Sequence, residues 1–469
     1  MMFTIEEIAR ATGGVIFGET ADGVIAVSTD SRTVRAGELF VALAGERFDG
    51  HDFIQVALAR GVKALLVNQG RFSRDAIPAG ATVVSVENTL RALGDLAAFH
   101  RRRFAIPVAG ITGSNGKTTV KEMLAAILEL TGPGLKTAGN LNNLIGLPQM
   151  LFRLNGGHQW AVLEMGMSEP GEIDRLAEIA APRVGVITNA YPAHLASMGS
   201  VEAVARAKGE LFLRLPEGGC AVCNGDDPLV SRLPIPAGVQ RLSFGLADAE
   251  IRGSAIESLG LDGQSFTLFL GGESLPVRLR AFGRHNVANA LAAAAAAVAL
   301  GVPADLIRAG LERFIPYDKR FSLEELDGIV LIDDSYNANP ASMRAALTTL
   351  REIRQGRRAV AVLGDMLELG AIAAEAHREV GKIAASCVDR LYVMGEMART
   401  VAEGAREGGL TGNEVIIAEG HEDILADLFP WISTGDCILV KGSRGMGMDK
   451  VAEGIRRHFT GDLKKGAAA

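Results

Sequence analysis

Lys117, Thr118 and Thr119 directly follow a glycine-rich turn, a combination of residues suited to holding phosphate groups. The turn lies between the apolar run 105–109, which predicts a buried strand, and segment 120–128, which has the apolar spacing of a helix. Glycines let backbone N–H groups approach phosphate oxygens, and a helix N-terminus adds partial positive charge. The pattern predicts a nucleotide-binding loop formed by Gly113, Ser114, Asn115, Gly116, Lys117, Thr118 and Thr119.

Within this loop, Lys117 is expected to reach the β- and γ-phosphates, and the Thr118 hydroxyl is expected to hold Mg²⁺. The spacing departs slightly from the usual phosphate-binding pattern, because Ile111 stands where the first glycine is expected and Gly110 lies one residue earlier. The alternative is an ordinary glycine-rich turn whose lysine is solvated. The strand before the turn and the helix after it favour nucleotide binding.

Two neighbouring strands end on side chains that can bind a metal ion. Glu164 follows the strand pattern 160–163, and His194 follows the strand pattern 184–187 by a few residues. Because the carboxyl ends of parallel strands gather at one edge of a sheet, where ligands bind, we expect both near the phosphate loop. Glu164 is then the natural Mg²⁺ ligand, whereas His194 is either a ligand or a hydrogen-bonded structural histidine.

Several polar clusters have no single interpretation from the residues alone. Segments 28–32 and 45–51 are each more typical of a capped turn or a solvated loop than of a binding site. Segment 137–148 is rich in amides and glycines. This composition favours equally a loop that binds a polar ligand and residues that only cap turns and helices. Asn286 and Asn289 begin an alanine-rich helix, where their amides could reach a base or cap the helix.

Lys208 lies on a predicted helix, 200–213, that follows the second of these strands. A protonated lysine has no lone pair, so Lys208 could bind a metal only as a carbamate, which composition alone would not suggest. From about residue 316 a third α/β unit begins, whose strands end on polar residues such as Asp334 and Lys441. Its alternation of strands and helices predicts another doubly wound sheet.

The length of 469 residues suggests three domains, which we place at residues 1–86, 87–315 and 316–469. A net charge of −7 gives no electrostatic footprint for nucleic acid or an anionic membrane. The apolar run 290–300 is too short to span a bilayer, and the first residues do not resemble a signal peptide. We therefore expect neither nucleic-acid binding nor membrane insertion.

Two local predictions concern cysteines and arginines. Cys220 and Cys223 lie three residues apart in a predicted strand, so we expect free buried thiols on opposite faces, as in a protein of the reducing cytoplasm. The run 101–103 consists of three arginines, which we expect to be a solvated helix end.

Taken in order, the motifs resemble those of the Mur ligases, ATP-dependent amide-forming enzymes of peptidoglycan precursor synthesis. The likeness runs from Thr29 to Arg444. Segment 112–119 is shared across the superfamily, which includes folylpolyglutamate synthases. More specific segments resemble the branch that adds D-alanyl-D-alanine to UDP-N-acetylmuramoyl-tripeptide; these are 139–143, 333–340, 364–370 and 440–444. The Asp-Asn-Pro-Arg motif of the diaminopimelate-adding branch is absent, as is the N-terminal Gly-x-Gly-x-x-Gly of the L-alanine- and D-glutamate-adding branches.

The resemblance implies an α/β protein with a small N-terminal UDP-sugar-binding domain, a central ATP-binding domain with a mostly parallel sheet, and a C-terminal Rossmann-like domain. It implies ATP and Mg²⁺ as cofactors and a monomer. The implied site residues are Ser31, Arg32 and Arg47 for the UDP-sugar, Asn140, Asn142 and Asn143 for the substrate cleft, Glu164, His194 and a carbamylated Lys208 for metal, Asn286 for adenine, Asp334 for ribose, and Lys117 and Arg320 for the phosphates.

The implied reaction activates the tripeptide carboxylate as an acyl phosphate, which the amine of D-alanyl-D-alanine then attacks. Closure of the domains on the substrates would exclude water. The residues leave open whether the tripeptide ends in diaminopimelate or lysine. The alternatives are an amide ligase with another acceptor, a kinase, and a nucleotide switch acting on protein partners. Glu164, Lys208 and Asp334, together with a domain before the phosphate loop, argue against the switch.

Overall fold

The computed structural model describes residues 1–18, 23–45, 48–71, 79–192, 198–317 and 319–460. The described chain forms three α/β units, each built on one largely parallel sheet. The predicted three-domain α/β architecture is confirmed. The three sheets span residues 15–86, 108–279 and 322–441, which leaves the proposed boundaries at 86 and 315 as a prediction.

The helices pack on both faces of the sheets. Their bounds are α1 Ile5–Thr12, α2 Ile54–Ala59, α3 Thr89–Arg101, α4 Lys117–Leu128, α5 Gly146–Leu151, α6 Glu172–Ala180, α7 Val201–Leu213, α8 Arg284–Ala299, α9 Ala304–Arg313, α10 Pro340–Ile353, α11 Ala373–Ala385, α12 Ala398–Glu407, α13 His421–Trp431 and α14 Asp449–Thr460.

The N-terminal sheet has five strands in the order β1-β5-β4-β3-β2, with only the β1–β5 pair antiparallel. The strands are β1 Val15–Gly18, β2 Ala26–Ser28, β3 Glu38–Val41, β4 Ala64–Asn68 and β5 Thr82–Val86. Apolar side chains of this unit and of the central unit share one core, in which Phe3 contacts Phe152 edge to face with ring centroids 6.0 Å apart. The first two units therefore pack as one body.

The central sheet has nine strands in the order β14-β13-β12-β11-β10-β9-β6-β8-β7. It is parallel from β7 to β12, and a β-hairpin extends it in antiparallel fashion. The strands are β6 Val108–Thr112, β7 Leu135–Lys136, β8 Ala161–Glu164, β9 Val184–Ile187, β10 Cys220–Asn224, β11 Gln240–Gly245, β12 Ile251–Ser258, β13 Gln264–Leu270 and β14 Glu273–Leu279.

The pairing of strands in the central sheet places the predicted phosphate loop and Glu164 at one edge of the sheet. Ile111 on β6 pairs with Glu164 on β8, and Thr112 pairs with Ile187 on β9. The phosphate loop and Glu164 therefore lie next to each other at the carboxyl ends of β6 and β8, as predicted for parallel strands. Burial on both faces explains why β6, β8 and β9 are apolar runs without alternation.

The C-terminal sheet has six strands in the order β15-β16-β20-β17-β18-β19, parallel except for the β15–β16 pair. The strands are β15 Ser322–Leu326, β16 Ile329–Asp334, β17 Ala359–Gly364, β18 Arg390–Met394, β19 Val415–Ala418 and β20 Cys437–Lys441. Asp334 and Lys441 are register partners on β16 and β20. Their side chains therefore meet where these two strands end.

The prediction of a solvated arginine run is correct for Arg102 and Arg103, which are exposed, and wrong for Arg101, whereas the prediction for the cysteines is confirmed. Arg101 is not solvated, because its buried guanidinium donates hydrogen bonds to the backbone carbonyls of Ala180, Phe104 and Ile106. Cys220 and Cys223 are free and buried, and they enter the two different cores on opposite faces of the sheet, as predicted. Among the described helices, none has the length and apolar character needed to cross a bilayer.

Candidate active site

The glycine-rich loop joins β6 to α4, and two of its glycines have no room for a side chain. Gly113 has φ of +151°, and a Cβ there would lie 1.8 Å from the Thr188 hydroxyl oxygen. Gly116 has φ of +84°, and a Cβ would lie 2.2 Å from the Asn289 amide oxygen. The loop backbone is therefore pressed against β9 and α8, and its N–H groups at the start of α4 remain close to the cavity.

Residues after β9 hold the loop in this shape. The Thr188 hydroxyl donates to the carbonyl of Asn115 at 2.5 Å, and the Asn189 side chain bonds both the N–H and the carbonyl of Asn115 at 2.8 and 3.1 Å. The Ser114 hydroxyl donates to the Tyr191 carbonyl at 3.0 Å. The sequence prediction missed the role of Thr188 and Asn189, although their place directly after a strand was a usable signal.

Lys117 folds back over the loop that precedes it. Its Nζ donates to the carbonyl of Gly113 at 2.6 Å and lies 3.4 Å from that of Ser114. Burial lowers the pKa of Lys117, while Glu164 opposes this effect and Arg320 adds to it. The amine thus lies among loop carbonyls at the cavity, and its contact with the β- and γ-phosphates stays a prediction.

Glu164 lies beside the loop and is almost fully buried, with 3% of its surface exposed. One carboxylate oxygen accepts the Thr118 hydroxyl at 2.9 Å, and the other accepts the Asn142 amide at 2.9 Å. Asn142 and Asn143 both line the cavity, and Asn143 also accepts the N–H of Gly146, the first residue of α5, at 2.8 Å. Segment 137–148 therefore makes local hydrogen bonds at the start of α5, and its binding of a polar ligand stays a prediction.

A buried lysine, Lys121 on α4, supports Glu164 from behind. Its Nζ donates to the carbonyl of Thr137 at 2.7 Å and pairs with Glu122 at 2.7 Å. The Thr137 hydroxyl in turn accepts the N–H of Glu164 at 2.9 Å. The sequence prediction did not identify Lys121 or Thr137, because neither the burial of a lysine nor a bond across 16 residues can be deduced from local pattern.

Lys208 on α7 lines the same cavity and has only 3% of its surface exposed. Burial lowers its pKa well below the ordinary value, and the neighbouring Lys117 lowers it further. Among the described residues, no carboxylate forms an ion pair with Lys208. A buried ammonium without a counter-charge is costly, so the site favours the neutral amine.

The C-terminal unit forms the opposite wall of the cavity. The carboxylate of Asp334 accepts the N–H of Phe321 at 3.1 Å and pairs with Lys441 at 2.7 Å. The guanidinium of Arg320 lies 3.8 Å from the centre of the Tyr336 ring, and its buried Nε has no hydrogen-bond partner within the described chain. An arginine with an unused donor beside Lys117 is available for an anion.

Asn286 and Asn289 lie at the start of α8, where the helix meets the phosphate loop. The Asn286 amide donates to the carbonyl of Phe282 at 2.9 Å and accepts from Asn289 at 3.0 Å. Both residues line the cavity, so each forms a local hydrogen bond and also lies at the cavity surface. The adenine contact implied for Asn286 stays a prediction.

These residues surround one cavity of about 930 Å³ between the central and C-terminal units. The N-terminal candidates lie elsewhere. Arg32 is exposed, and its side chain and its backbone N–H together donate three hydrogen bonds to Asp30, which lower the pKa of Asp30 to about 2. Asn140 is exposed and does not line the cavity. Ser31 follows Thr29, whose hydroxyl accepts the Gln149 amide of α5 at 3.0 Å, so this motif does contact the central unit. Arg47 and His194 lie outside the described residues.

The donor set fits Mg²⁺ bound together with a nucleotide. Mg²⁺ is usually held by one or two carboxylates, water and substrate phosphates, rather than by an all-protein cage. Glu164 and the Thr118 hydroxyl provide such donors next to the phosphate loop. The described residues contain no group of three or more His, Cys, Asp or Glu side chains placed to hold a metal. The remaining ligands would therefore include phosphate and water oxygens.

Three family models match the chain in order. They are Mur ligase family, catalytic domain, over residues 24–101; Mur ligase middle domain, over 111–297; and Mur ligase, glutamate ligase domain, over 319–444. Together they cover each of the three sheets at least in part.

Individual relatives agree over nearly the whole length. UDP-N-acetylmuramoyl-tripeptide–D-alanyl-D-alanine ligase of Escherichia coli (strain K12) is 39% identical over 440 residues, 93% of this chain and 94% of that protein. MurF from Acinetobacter baumannii superimposes with a TM-score of 0.89 at 34% identity, over 97% of this chain and 99% of that one. MurF ligase from Thermotoga maritima, solved in complex with ADP, gives 0.83 at 29% identity, over 93% and 98%. The resemblance of the motifs is confirmed, and the chain belongs to the Mur ligase family.

Proposed function

We propose that this chain joins D-alanyl-D-alanine to UDP-N-acetylmuramoyl-tripeptide through a new amide bond, with conversion of ATP to ADP and phosphate. The observation that carries the proposal is the single cavity in which the phosphate loop, Glu164 and Lys208 face Arg320 and Asp334. The Escherichia coli relative, which is named for this reaction, supports it over 93% of the chain. We expect the enzyme to act in the cytoplasm as a monomer.

Charge repulsion is the first obstacle that the site must overcome, because a carboxylate has to approach a triphosphate. Lys117 and Arg320 place two cations at the cavity, one from each unit. An oxygen of the tripeptide's terminal carboxylate attacks the γ-phosphorus, and the bond from that phosphorus to the β-phosphate oxygen breaks. The products of this step are an acyl phosphate and ADP. Fixed cations stabilise the charge that accumulates on the phosphoryl oxygens.

The second step forms the amide. The neutral amine of D-alanyl-D-alanine attacks the acyl carbonyl, the bond to the phosphate oxygen breaks, and phosphate leaves with the amine having lost one proton. Water would destroy the acyl phosphate, so the placement of the cavity between two units is expected to limit the access of water to the intermediate. We expect the domains to close further on substrates, which small-angle scattering would record as compaction.

Glu164 and Thr118 are the residues that we propose hold Mg²⁺, with His194 as a further candidate ligand. When bound, Mg²⁺ shields the phosphate charge and polarises the γ-phosphoryl group. The hydrogen bond from Asn142 fixes the rotamer of Glu164, so the carboxylate is held in place by a residue of the substrate-cleft loop. Asn286 and Asp334 are proposed to contact adenine and ribose.

Lys208 is proposed to carry a carbamate, formed when its neutral amine attacks CO₂ and releases one proton. Burial without a carboxylate partner supports this, because the amine must be neutral to react. The mass of the intact protein in bicarbonate buffer should be about 44 Da above that of the unmodified chain, and ¹³C-bicarbonate should give a carbamate resonance that Lys208→Met lacks. Absence of both signals would remove the carbamate from the proposal.

The N-terminal unit is proposed to bind the UDP-sugar through Ser31, Arg32 and Arg47. The contact of Thr29 with Gln149 supports this placement, since α5 follows the segment that contains the cavity residues Asn142 and Asn143; Asn140 is proposed to contact the substrate outside the cavity. A UDP-sugar held there would direct its peptide toward the phosphate loop.

The reaction is tested by measuring phosphate release from ATP, with the tripeptide substrate and the dipeptide supplied separately and together. We expect release only when both are present, and a product heavier than the tripeptide substrate by the dipeptide less one water. Release supported equally by another amino acid would identify a ligase with a different acceptor. Release without either substrate would contradict ligase activity.

A further inference from the structure

Two asparagines join the phosphate loop to the C-terminal unit by a reciprocal pair of hydrogen bonds. The Asn339 amide donates to the Asn115 side-chain oxygen at 2.6 Å, and the Asn115 amide donates to the Asn339 side-chain oxygen at 3.2 Å. The two residues are separated by 224 positions in the chain. Asn115 lies in the phosphate loop, and Asn339 directly precedes α10.

Every polar group of Asn115 has a protein partner. Its backbone N–H and carbonyl are bonded by Asn189 and Thr188 of the central unit, and its side-chain amide is bonded by Asn339 of the C-terminal unit. The side chain of Asn115 therefore connects two units, in contrast to the nucleotide contact that the motif predicts for it.

Asn339 is itself held firmly. It is the N-cap of α10, where its side-chain oxygen accepts the N–H of Ser342 at 2.9 Å while its own N–H donates to the Ser342 hydroxyl at 3.0 Å. The preceding residues are anchored to the end of β20, because Lys441 donates to the carbonyl of Asn337 at 2.9 Å. A rigid helix start in the C-terminal unit is thus bonded to the phosphate loop.

We propose that Asn339 is a positioning residue that fixes the phosphate loop from the C-terminal unit, so that the nucleotide site is complete only when this unit is docked. The inference rests on the proposed use of ATP. A nucleotide in the cavity would contact both units, since the loop lies on one and Arg320 and Asp334 lie on the other. Loss of the pair lowers the fraction of docked protein, and apparent affinity falls by the same factor.

The size of the effect follows from the two bonds. Both bonds join neutral groups, and losing the two together should weaken nucleotide binding by at least about fivefold. Saturating nucleotide restores docking, so the turnover number at saturation should change by less than about threefold. A residue that only stabilised the fold would lower the melting temperature and leave this affinity unchanged.

The test is a double-mutant cycle with Asn115→Ser, Asn339→Ser and the combination, in which the dissociation constant of a non-hydrolysable ATP analogue with Mg²⁺ is measured. Serine is as good an N-cap as asparagine, so Asn339→Ser keeps the helix start but cannot span the gap to Asn115. The control Ser342→Ala removes the hydroxyl partner of the cap and leaves the asparagine pair intact.

We expect Asn339→Ser to raise the dissociation constant at least about fivefold, Ser342→Ala to leave it within about twofold, and the double variant to match the Asn115→Ser single variant. An unchanged constant in Asn339→Ser, or effects that multiply in the double variant, would overturn the proposal. Binding of the analogue requires no acceptor, so this result is independent of the identity of the ligated substrates. If the wild-type protein forms no amide but the cycle behaves as expected, only the proposed reaction fails.

Discussion

Replacing Lys121 with methionine tests how the phosphate-loop helix is tied to the residues behind Glu164. The substitution leaves the buried carbonyl of Thr137 without its donor at 2.7 Å, and Thr137 has only 1% of its surface exposed. Glu122 keeps a cation, because Lys136 lies 2.8 Å from its other oxygen, so no uncompensated buried charge remains. The expected loss is that of one hydrogen bond from a charged group, about 2 kcal/mol, rather than the 3–5 kcal/mol of a broken buried pair.

The assay uses tryptophan fluorescence during thermal unfolding. The chain has two tryptophans, Trp160 at the start of β8 and Trp431 in α13, so a Trp431→Phe background leaves Trp160 to report on the central unit. A loss of about 2 kcal/mol should lower the melting temperature by about 4–8 °C. The matched control Lys136→Met removes a partly exposed partner of Glu122 and should cost about 0.5 kcal/mol, or roughly 1–2 °C.

Two results would refute this reasoning. Equal shifts in the two variants would mean that Glu122, and not the carbonyl of Thr137, is the important partner of Lys121. A neutral Lys121→Met would mean that the buried ammonium contributes no net stability.

Three further outcomes are expected. Glu164→Gln should lower turnover about 10²-fold at saturating ATP, and excess Mg²⁺ should restore part of it if the carboxylate holds the metal; no response to Mg²⁺ would contradict that role. Tyr336→Leu should raise the KM for ATP about fivefold through loss of the ring 3.8 Å from the Arg320 guanidinium, and Tyr336→Phe should not, since the ring alone provides the cation–π contact. Arg456→Met should destabilise the C-terminal unit by about 3–5 kcal/mol, because it leaves the fully buried Asp333 unpaired, whereas exposed Arg457→Met should be close to neutral in the unfolding signal of Trp431.

The sequence predicts those parts of the site that follow from local pattern. The phosphate loop and Glu164 were located because apolar runs identify strands and parallel strands end at one edge, and the register of Ile111 with Glu164 agrees. Asp334 was located in the same way at the end of β16. The positions of these residues could be predicted because they depend only on the order of strands and helices along the chain.

Other features depend on which distant segments meet, and local pattern does not determine this. The pairing of Asn115 with Asn339, the burial of Lys121 and the bond from Arg101 to the carbonyl of Ala180 each require packing between units or helices. A helix end is usually solvated, but Arg101 is buried because the end of α6 provides one carbonyl acceptor and the following residues Phe104 and Ile106 provide two more. Asn143 lies in a segment that is predicted to bind substrate, and its side chain also accepts a hydrogen bond at the start of a helix.

The most direct test of the central claim follows an oxygen atom. The tripeptide substrate is prepared with both oxygens of its terminal carboxylate labelled with ¹⁸O, and the released phosphate is analysed by mass. An acyl phosphate formed in the cavity predicts that each phosphate carries one ¹⁸O and that the new amide keeps the other. Unlabelled phosphate, or the label in AMP, would contradict phosphoryl transfer to the carboxylate at this site.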